Sequence, residues 1–403
     1  MAREQVTNLV IIGNGFDLAC NIETSFSNFI SSKYNELKNE FKTAYIDFLN
    51  FSKNSRIHSN TEENMIKEFE ERFLKLNGTE NFWMILLLLN MQIHAIPNWC
   101  DIEAVIRDFL LNNSEINIQK LIFYITKEQK ENNQNFTIGY SSESSLNFLE
   151  ICALILLKEN QKIDQFMKSP YRYLMCQLKD FESNFRLYLN EVVKAKATEY
   201  NLKSGKLFDL IVQDDFSAVN NEVENIVDFN YTMPAVFDNP TQIGGVMTKI
   251  ARVDHVHGDL KDNNLILGID SSNISVDDEK YKFTKTYREL SLHINRTKNR
   301  LLPNTVKRIN IFGHSLDEQD YSYFQAIFDR YDLYSSEVVI EFDYSIYNLD
   351  LKSQIKGQVY QGIIDLIQKY ADTLTNVAHG KNLLHKLLLE ERLIMREIDI
   401  NDL

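Results

Sequence analysis

Hydrophobic positions along the chain follow two rhythms, and the change from one to the other divides it. Residues 6–12 (VTNLVII) form a short, almost continuously apolar run, the pattern of a strand buried on both faces of a parallel sheet. The stretch GNGFDLA follows as a turn, and a helix is expected to begin near Thr24 or Ser25, either of which can cap its free N–H groups. From there to about residue 215, runs such as FKTAYIDFLNF, NMIKEFEERFLKL and YRYLMCQLKDFESNFRLYLNEVV place apolar residues every three to four positions, which is helical spacing. Strand signals then return at ENIVDFNYT (224–232), ARVDHVHG (251–258), NLILGID (264–270), KRINIFGHS (307–315) and EVVIEFDYSIY (337–347). Helical segments follow at 318–331 and 354–374. Strand–turn–helix alternation predicts an α/β fold with a parallel sheet. The first strand is expected to join that sheet across a large all-helical insertion. The predicted organisation is a core of residues 1–30 plus 216–403, with an insertion of residues 31–215.

Composition narrows the partners. The chain has 403 residues, 44% hydrophobic and 25% charged, with only 13 glycines and 5 prolines. That describes a folded, mostly helical chain with room for two packed units. A formal charge of −14 argues against an extensive nucleic-acid surface, which needs clustered Lys and Arg. It also argues against an anionic membrane surface. The apolar stretch FWMILLLL, from Phe82 to Leu89, falls short of the roughly 20 residues of a bilayer span, and the N-terminal run is no signal peptide. Cys20, Cys100, Cys152 and Cys176 contain no Cys-x-x-Cys pair, so they are read as small buried apolar residues in a reducing cytoplasm. Residues 127–137 read as a solvated loop.

Ligands of open α/β sheets bind beyond the carboxyl ends of the strands, so chemistry is sought in the residues that follow each strand. Gly13 and Gly15 let backbone approach a phosphate, but position 18, where a dinucleotide fingerprint has its third glycine, is Leu18. The rival reading is a tight strand-to-helix turn with Asp17 as cap. Asn230 presents an amide that both donates and accepts, or is simply a turn residue. His257, at a strand end beside Gly258, suits a general base, or is a satisfied structural histidine. His255 and His257 would share a face if their strand continues. They could then chelate a metal with His293, His314, Asp254 or Asp259, although no metal is expected. Ser315 lacks a Gly-x-Ser-x-Gly elbow. Asp317, Glu318 and Asp320 read as acids suited to a helix start. Asp101 and Glu103, in WCDIE, are a candidate helix start whose role depends on that helix leaning over the sheet.

The segments IIGNGFDLACNIETSFSNF, WCDIE, DFNYT, HVHG and INIFGHSLDEQDYSYF occur in the same order as motifs of the AbiH family of bacterial abortive-infection proteins. The chain resembles that family from residue 11 to about 328. The resemblance implies defence against bacteriophage in which the infected cell is sacrificed or arrested. A more distant resemblance is to sirtuin-like NAD-binding domains, above all the NAD hydrolases of phage defence, and implies a Rossmann-like sheet. It implies that Gly13 and Gly15 face the dinucleotide phosphates, that Asn230 positions water or the ribose, and that His257 acts as base. Gly313 and Ser315 would contact the adenosine side, and Asn14, Phe16, Thr24, Phe26, Tyr231, Gly258 and His314 are the further candidates for binding NAD. Asp17, if near, would stabilise the developing cation electrostatically. Asn14, Asp17 and Thr232 depart from the sirtuin-like pattern, and the absent zinc–cysteine module argues against protein deacylation. Three functions are therefore open: hydrolysis of NAD or a related nucleotide, a non-catalytic nucleotide sensor or assembly module, and a metal-dependent hydrolase or nuclease. A phage-derived trigger and self-association are the further partners implied.

Overall fold

The computed structural model describes residues 5–53, 68, 71–72, 75–76, 81–93, 101–113, 117–131, 152, 156–157, 163–213, 223–238, 249–272, 274–290, 300–401 and 403. Trp99, Cys100, His293 and residues 132–137 of the expected solvated loop lie outside the described residues.

Strand β1 (Asn8–Ile12) is buried at every position. Its side chains alternate between two cores, Leu9 and Ile11 into one and Val10 and Ile12 into the other, as a strand covered on both faces must. Helix α1 (Asn14–Ala19) follows directly, so GNGFDLA is mostly helical and not the expected turn. Eight helices of the described residues then separate β1 from the next strand. They are α2 (Phe26–Lys33), α3 (Asn35–Lys53), α4 (Phe82–Ile93), α5 (Ile102–Leu110), α6 (Ile118–Glu131), α7 (Ile163–Lys168), α8 (Pro170–Ala195) and α9 (Ala197–Val212). Ser25 caps α2 by accepting from the Asn28 N–H at 3.1 Å. Helix α8 starts with Pro170, where a missing N–H does no harm. It buries Leu174, Leu178, Phe181, Phe185 and Leu189 along one face. With Phe29, Phe82 and Trp83 these make a core of the helical block itself.

The remaining elements are β2 (Val223–Asp228), α10 (Ala235–Asp238), β3 (Lys249–His255), α11 (Lys285–Glu289), β4 (Arg308–Phe312), α12 (Tyr321–Arg330), β5 (Val339–Tyr344), α13 (Lys352–Ala371), α14 (Val377–Leu389) and β6 (Leu393–Glu397). All six strands are parallel, in the order β3-β2-β1-β4-β5-β6. The fold is therefore the expected α/β parallel sheet with a helical insertion between β1 and β2, in the strand order of dinucleotide-binding sheets. Helices α12, α13 and α14 cover one face of the sheet, and α1, α9 and α10 the other.

Three expectations need correction. The strands end earlier than their apolar runs, so FNYT and VHG are loop. NLILGID is not a strand of the sheet and forms only an isolated bridge from Ile269 to Thr284. Its N–H groups are taken elsewhere: Leu267 donates to Glu182 at 2.7 Å, Gly268 to Glu103 at 2.9 Å and Ile266 to the His257 carbonyl at 3.0 Å. Leu265, Leu267 and Ile269 consequently pack into the core of the helical block. Cys176 is exposed, unlike the buried Cys20 and Cys152.

Candidate functional site

The chain turns outward in opposite directions from β1 and β4, so the turns after these neighbouring strands lie at the switch point where such sheets bind ligands. Here the two turns press against each other. The Gly15 N–H donates to the Gly313 carbonyl at 2.8 Å. A Cβ on Gly15 would lie 2.6 Å from Gly313 Cα, and one on Gly313 would lie 2.5 Å from the Phe16 nitrogen. Gly313 also has a φ of +70°, which disfavours any other residue. These glycines serve a backbone-to-backbone contact between β1–α1 and the turn after β4. Gly13 precedes α1 as its N-cap. Asn14 accepts from the Thr24 hydroxyl at 2.5 Å. Phe16 lies in the core between Phe237 and Phe312, and Phe26 packs at a tilt against Phe185 in the helical block.

Asp17 is no helix cap. It is 1% exposed, inside α1, and accepts from the Tyr200 hydroxyl at 2.6 Å and the Thr232 hydroxyl at 2.7 Å. Burial pushes its carboxyl up to about 6, against the lowering effect of hydrogen bonds from Tyr200, Thr232 and Thr24. The group joins α1, α9 and the turn after β2. Asp228, at the end of β2, accepts from the Asn230 N–H at 2.8 Å and lies 3.3 Å from His255 Nδ1. Burial raises it well above the usual carboxylate range, and the charges of Asp17 and Asp259 add to this. His255 Nδ1 also faces the Asn230 carbonyl at 3.2 Å. A carbonyl only accepts, so Nδ1 carries the proton. Asn230 is 5% exposed, and its Nδ2 is buried without a hydrogen-bond partner.

A second cluster centres on Asp320. Its Oδ1 lies 2.5 Å from Lys285 Nζ and 3.1 Å from His257 Nε2, and its Oδ2 lies 3.3 Å from His314 Nε2. Lys285 Nζ is also 2.7 Å from Glu103 Oε2. His314 Nδ1 accepts from the Leu316 N–H at 2.9 Å, which directs the protonated Nε2 at Asp320. Leu316 has a φ of +61°, an uncommon conformation for a bulky residue, and this hydrogen bond helps hold it. Burial and the Lys285 charge hold His257 below the usual histidine value, with Asp320 opposing. Burial works against the charge on Asp320, but Lys285 and His257 outweigh it and hold its carboxyl well below the usual range. Burial pushes Glu103 up to about 8, with Lys285 opposing and Asp320 adding to the rise. The cluster therefore holds an ammonium, an ionised aspartate and a neutral imidazole. Phe229 sets its ring edge-on against both His257 and His314, and Tyr323 packs against His257.

The helical block reaches this edge of the sheet. Asp101 caps α5, accepting from the Glu103 N–H at 2.9 Å and the Ala104 N–H at 3.2 Å, and so aims Glu103 at Lys285. Glu182 of α8 forms a two-pronged ion pair with Arg288 of α11. Through Glu103, α5 thus reaches Lys285 of α11 and the Gly268 N–H, and Arg107 reaches Glu318 after β4. Beside the cluster, Lys285, Gln319 and Tyr323 help line a cavity of about 220 Å³.

Three expectations for single residues change. His255 and His257 do not share a face, because β3 ends at His255; one turns to Asp228 and the other to Asp320. Asp320 stands at the N-cap of α12, the helix start expected for it, but its carboxyl makes no capping hydrogen bond and pairs with Lys285 instead. His257 and Asn230 share no hydrogen bond among the described residues. Tyr231 reaches the Ile266 carbonyl at 3.3 Å, Gly258 packs on Asn264 with a φ of +78°, and Ser315 belongs to the turn after β4. Lys285, Glu182, Arg288 and Tyr200 carried no local signal in the sequence. Lys285 is one lysine among many, in a five-residue helix. Among the described residues no group of three or more His, Cys, Asp and Glu is placed to hold a metal ion. Among them, too, no helix is long and apolar enough to cross a membrane.

Neither a curated protein nor a solved structure matches the chain. A family model described as bacteriophage abortive infection AbiH matches residues 9–342. That span takes in the helical block, the turns after β1 to β4 and every residue of the Asp320 cluster, so the chain belongs to the AbiH family of bacteriophage abortive-infection proteins.

Proposed function

We propose that this abortive-infection protein hydrolyses the glycosidic bond of NAD⁺ or a related nucleotide, with His257 as the general base. The observation that carries the reading is the His257–Asp320–Lys285 array. An imidazole kept neutral by burial can accept a proton at physiological pH. A neighbouring carboxylate kept ionised by Lys285 favours the imidazolium that results. Cleavage of a nicotinamide–ribose bond develops positive charge on the ribose, which an anionic edge stabilises. The unpartnered Asn230 Nδ2 is a donor able to orient water or a ribose hydroxyl. The resemblance to sirtuin-like NAD hydrolases and the strand order support the same substrate class. NAD⁺ depletion would arrest the infected cell, with a phage-derived product as trigger.

The test is NAD⁺ consumption by purified protein, followed by chromatography, together with toxicity on overexpression. His257→Ala is expected to lower turnover by about 10²–10⁴-fold and to relieve toxicity. Unchanged turnover and toxicity in that variant remove His257 from the chemistry.

A second reading, a nucleotide sensor without turnover, is favoured by the closed contact of Gly15 with Gly313 and by the 4% exposure of His257. Reversible nucleotide binding with no product would select it.

A further inference from the structure

The cavity beside Lys285 lies under α11 and α12, and its lining combines two features. Val227, Val256 and Ile327 provide an apolar wall. Gln319, 4% exposed, belongs to the same lining, and its Oε1 is buried and lacks a hydrogen-bond partner. Among the described residues its amide makes no hydrogen bond at all. A buried amide left unpaired is unfavourable by itself, and one beside a cavity gains partners if its side chain turns toward a ligand that both donates and accepts.

The charges in the lining are already committed. Lys285 binds Asp320 and Glu103. Asp270 accepts from the Ser272 and Ser322 N–H groups. Glu289 accepts from the Tyr323 hydroxyl at 2.8 Å, and Asp254 pairs with Arg252. Among the described residues of the lining no spare cation is left to receive a phosphate or carboxylate, and their excess of acids opposes one. Size sets the other bound: a dry cavity of about 150 Å³ takes a benzene ring, so about 220 Å³ admits one or two fused rings.

We infer that this cavity is a binding site for an uncharged, nucleobase-sized heterocycle that presents an adjacent donor and acceptor to Gln319. The ring lies against the apolar wall, and its polar edge pairs with the amide. Tyr323 touches both the cavity and the His257 ring, so occupancy is felt at the Asp320 cluster. The inference stands apart from the hydrolytic reading, because its readout is binding without turnover.

The test uses the full chain with adenine, uracil and nicotinamide as probes and inorganic phosphate as control, measured by ligand-observed NMR and calorimetry. At least one heterocycle is expected to bind and phosphate is not. Gln319→Leu keeps the volume but removes the amide, and is expected to weaken binding about tenfold or more. Ala326→Leu fills the cavity from α12 and is expected to abolish binding by a different route. If one variant fails to fold, shown by circular dichroism, the other decides. Failure of all three heterocycles to bind at about millimolar concentration, retention of binding in the folded variants, or phosphate binding as tightly as the heterocycles would overturn the assignment.

Discussion

Asp17 and Asp320 are both buried carboxylates at the carboxyl end of one sheet, yet the first sits among hydroxyls and the second beside an ammonium. Tyr200 and Thr232 satisfy both Asp17 oxygens without supplying charge, so its carboxyl rises to about 6. Lys285 gives Asp320 a full countercharge, and its carboxyl falls well below the usual range despite its burial. A neutral-donor shell makes a joint between elements. A cation-paired carboxylate makes a fixed negative charge against which a neutral imidazole can take up a proton. The same contrast separates the two histidines of HVHG: His255 turns to the Asp228 side and His257 to the charged side.

The strongest way to break the contrast is Lys285→Met. Removing one partner from a buried ion pair strands the others and costs about 3–5 kcal/mol. Glu103 and Asp320 would then face each other without a cation. A proton can take the place of the ammonium between them, so the defect in urea denaturation should be smaller at pH 5 than at pH 8. An equal defect at both values would mean that Lys285 acts through packing.

Asp17→Asn should move stability the opposite way. The raised carboxyl favours the protonated form in the folded state. Its contribution is thus fully present below 3.8 and lost as pH rises through about 6. The amide removes that loss, so stability at pH 8 should rise by about 1–3 kcal/mol, with no gain at pH 3.5. Tyr200→Phe, which deletes the hydroxyl between Asp17 and Thr232, should lower stability by about 1–2 kcal/mol, read as a fall in Tm. The smallest effect belongs to His257→Gln. A lowered imidazole value makes the folded state resist protonation, so stability is full above 6.5 and declines as pH falls below it. The variant should flatten that decline while leaving the midpoint at pH 8 nearly unchanged.

The sequence pattern carried much of the sheet, because its strands are short apolar runs separated by helical spacing. It carried β1 to β5, the parallel arrangement and the helical block, as well as the helix that starts at Asp101. It missed α14 and β6, which follow α13 with no marked change in composition, and it mistook NLILGID for a strand. An apolar β-branched run looks the same whether its N–H groups meet a neighbouring strand or, as here, Glu182 and Glu103.

The amino-acid sequence by itself determined which residues stand at the strand ends, since glycine, asparagine and histidine after an apolar run are local facts. Only the tertiary structure decided which of them act together. Lys285 and Asp320 are 35 positions apart, and Glu182 and Arg288 106, so their pairing depends on where the backbone returns. Once it returns, burial penalises each isolated charge, strengthens each interaction between charges and so shifts each proton. Those shifts set the charge states of His257, Asp320 and Glu103, and no periodicity along the sequence encodes them.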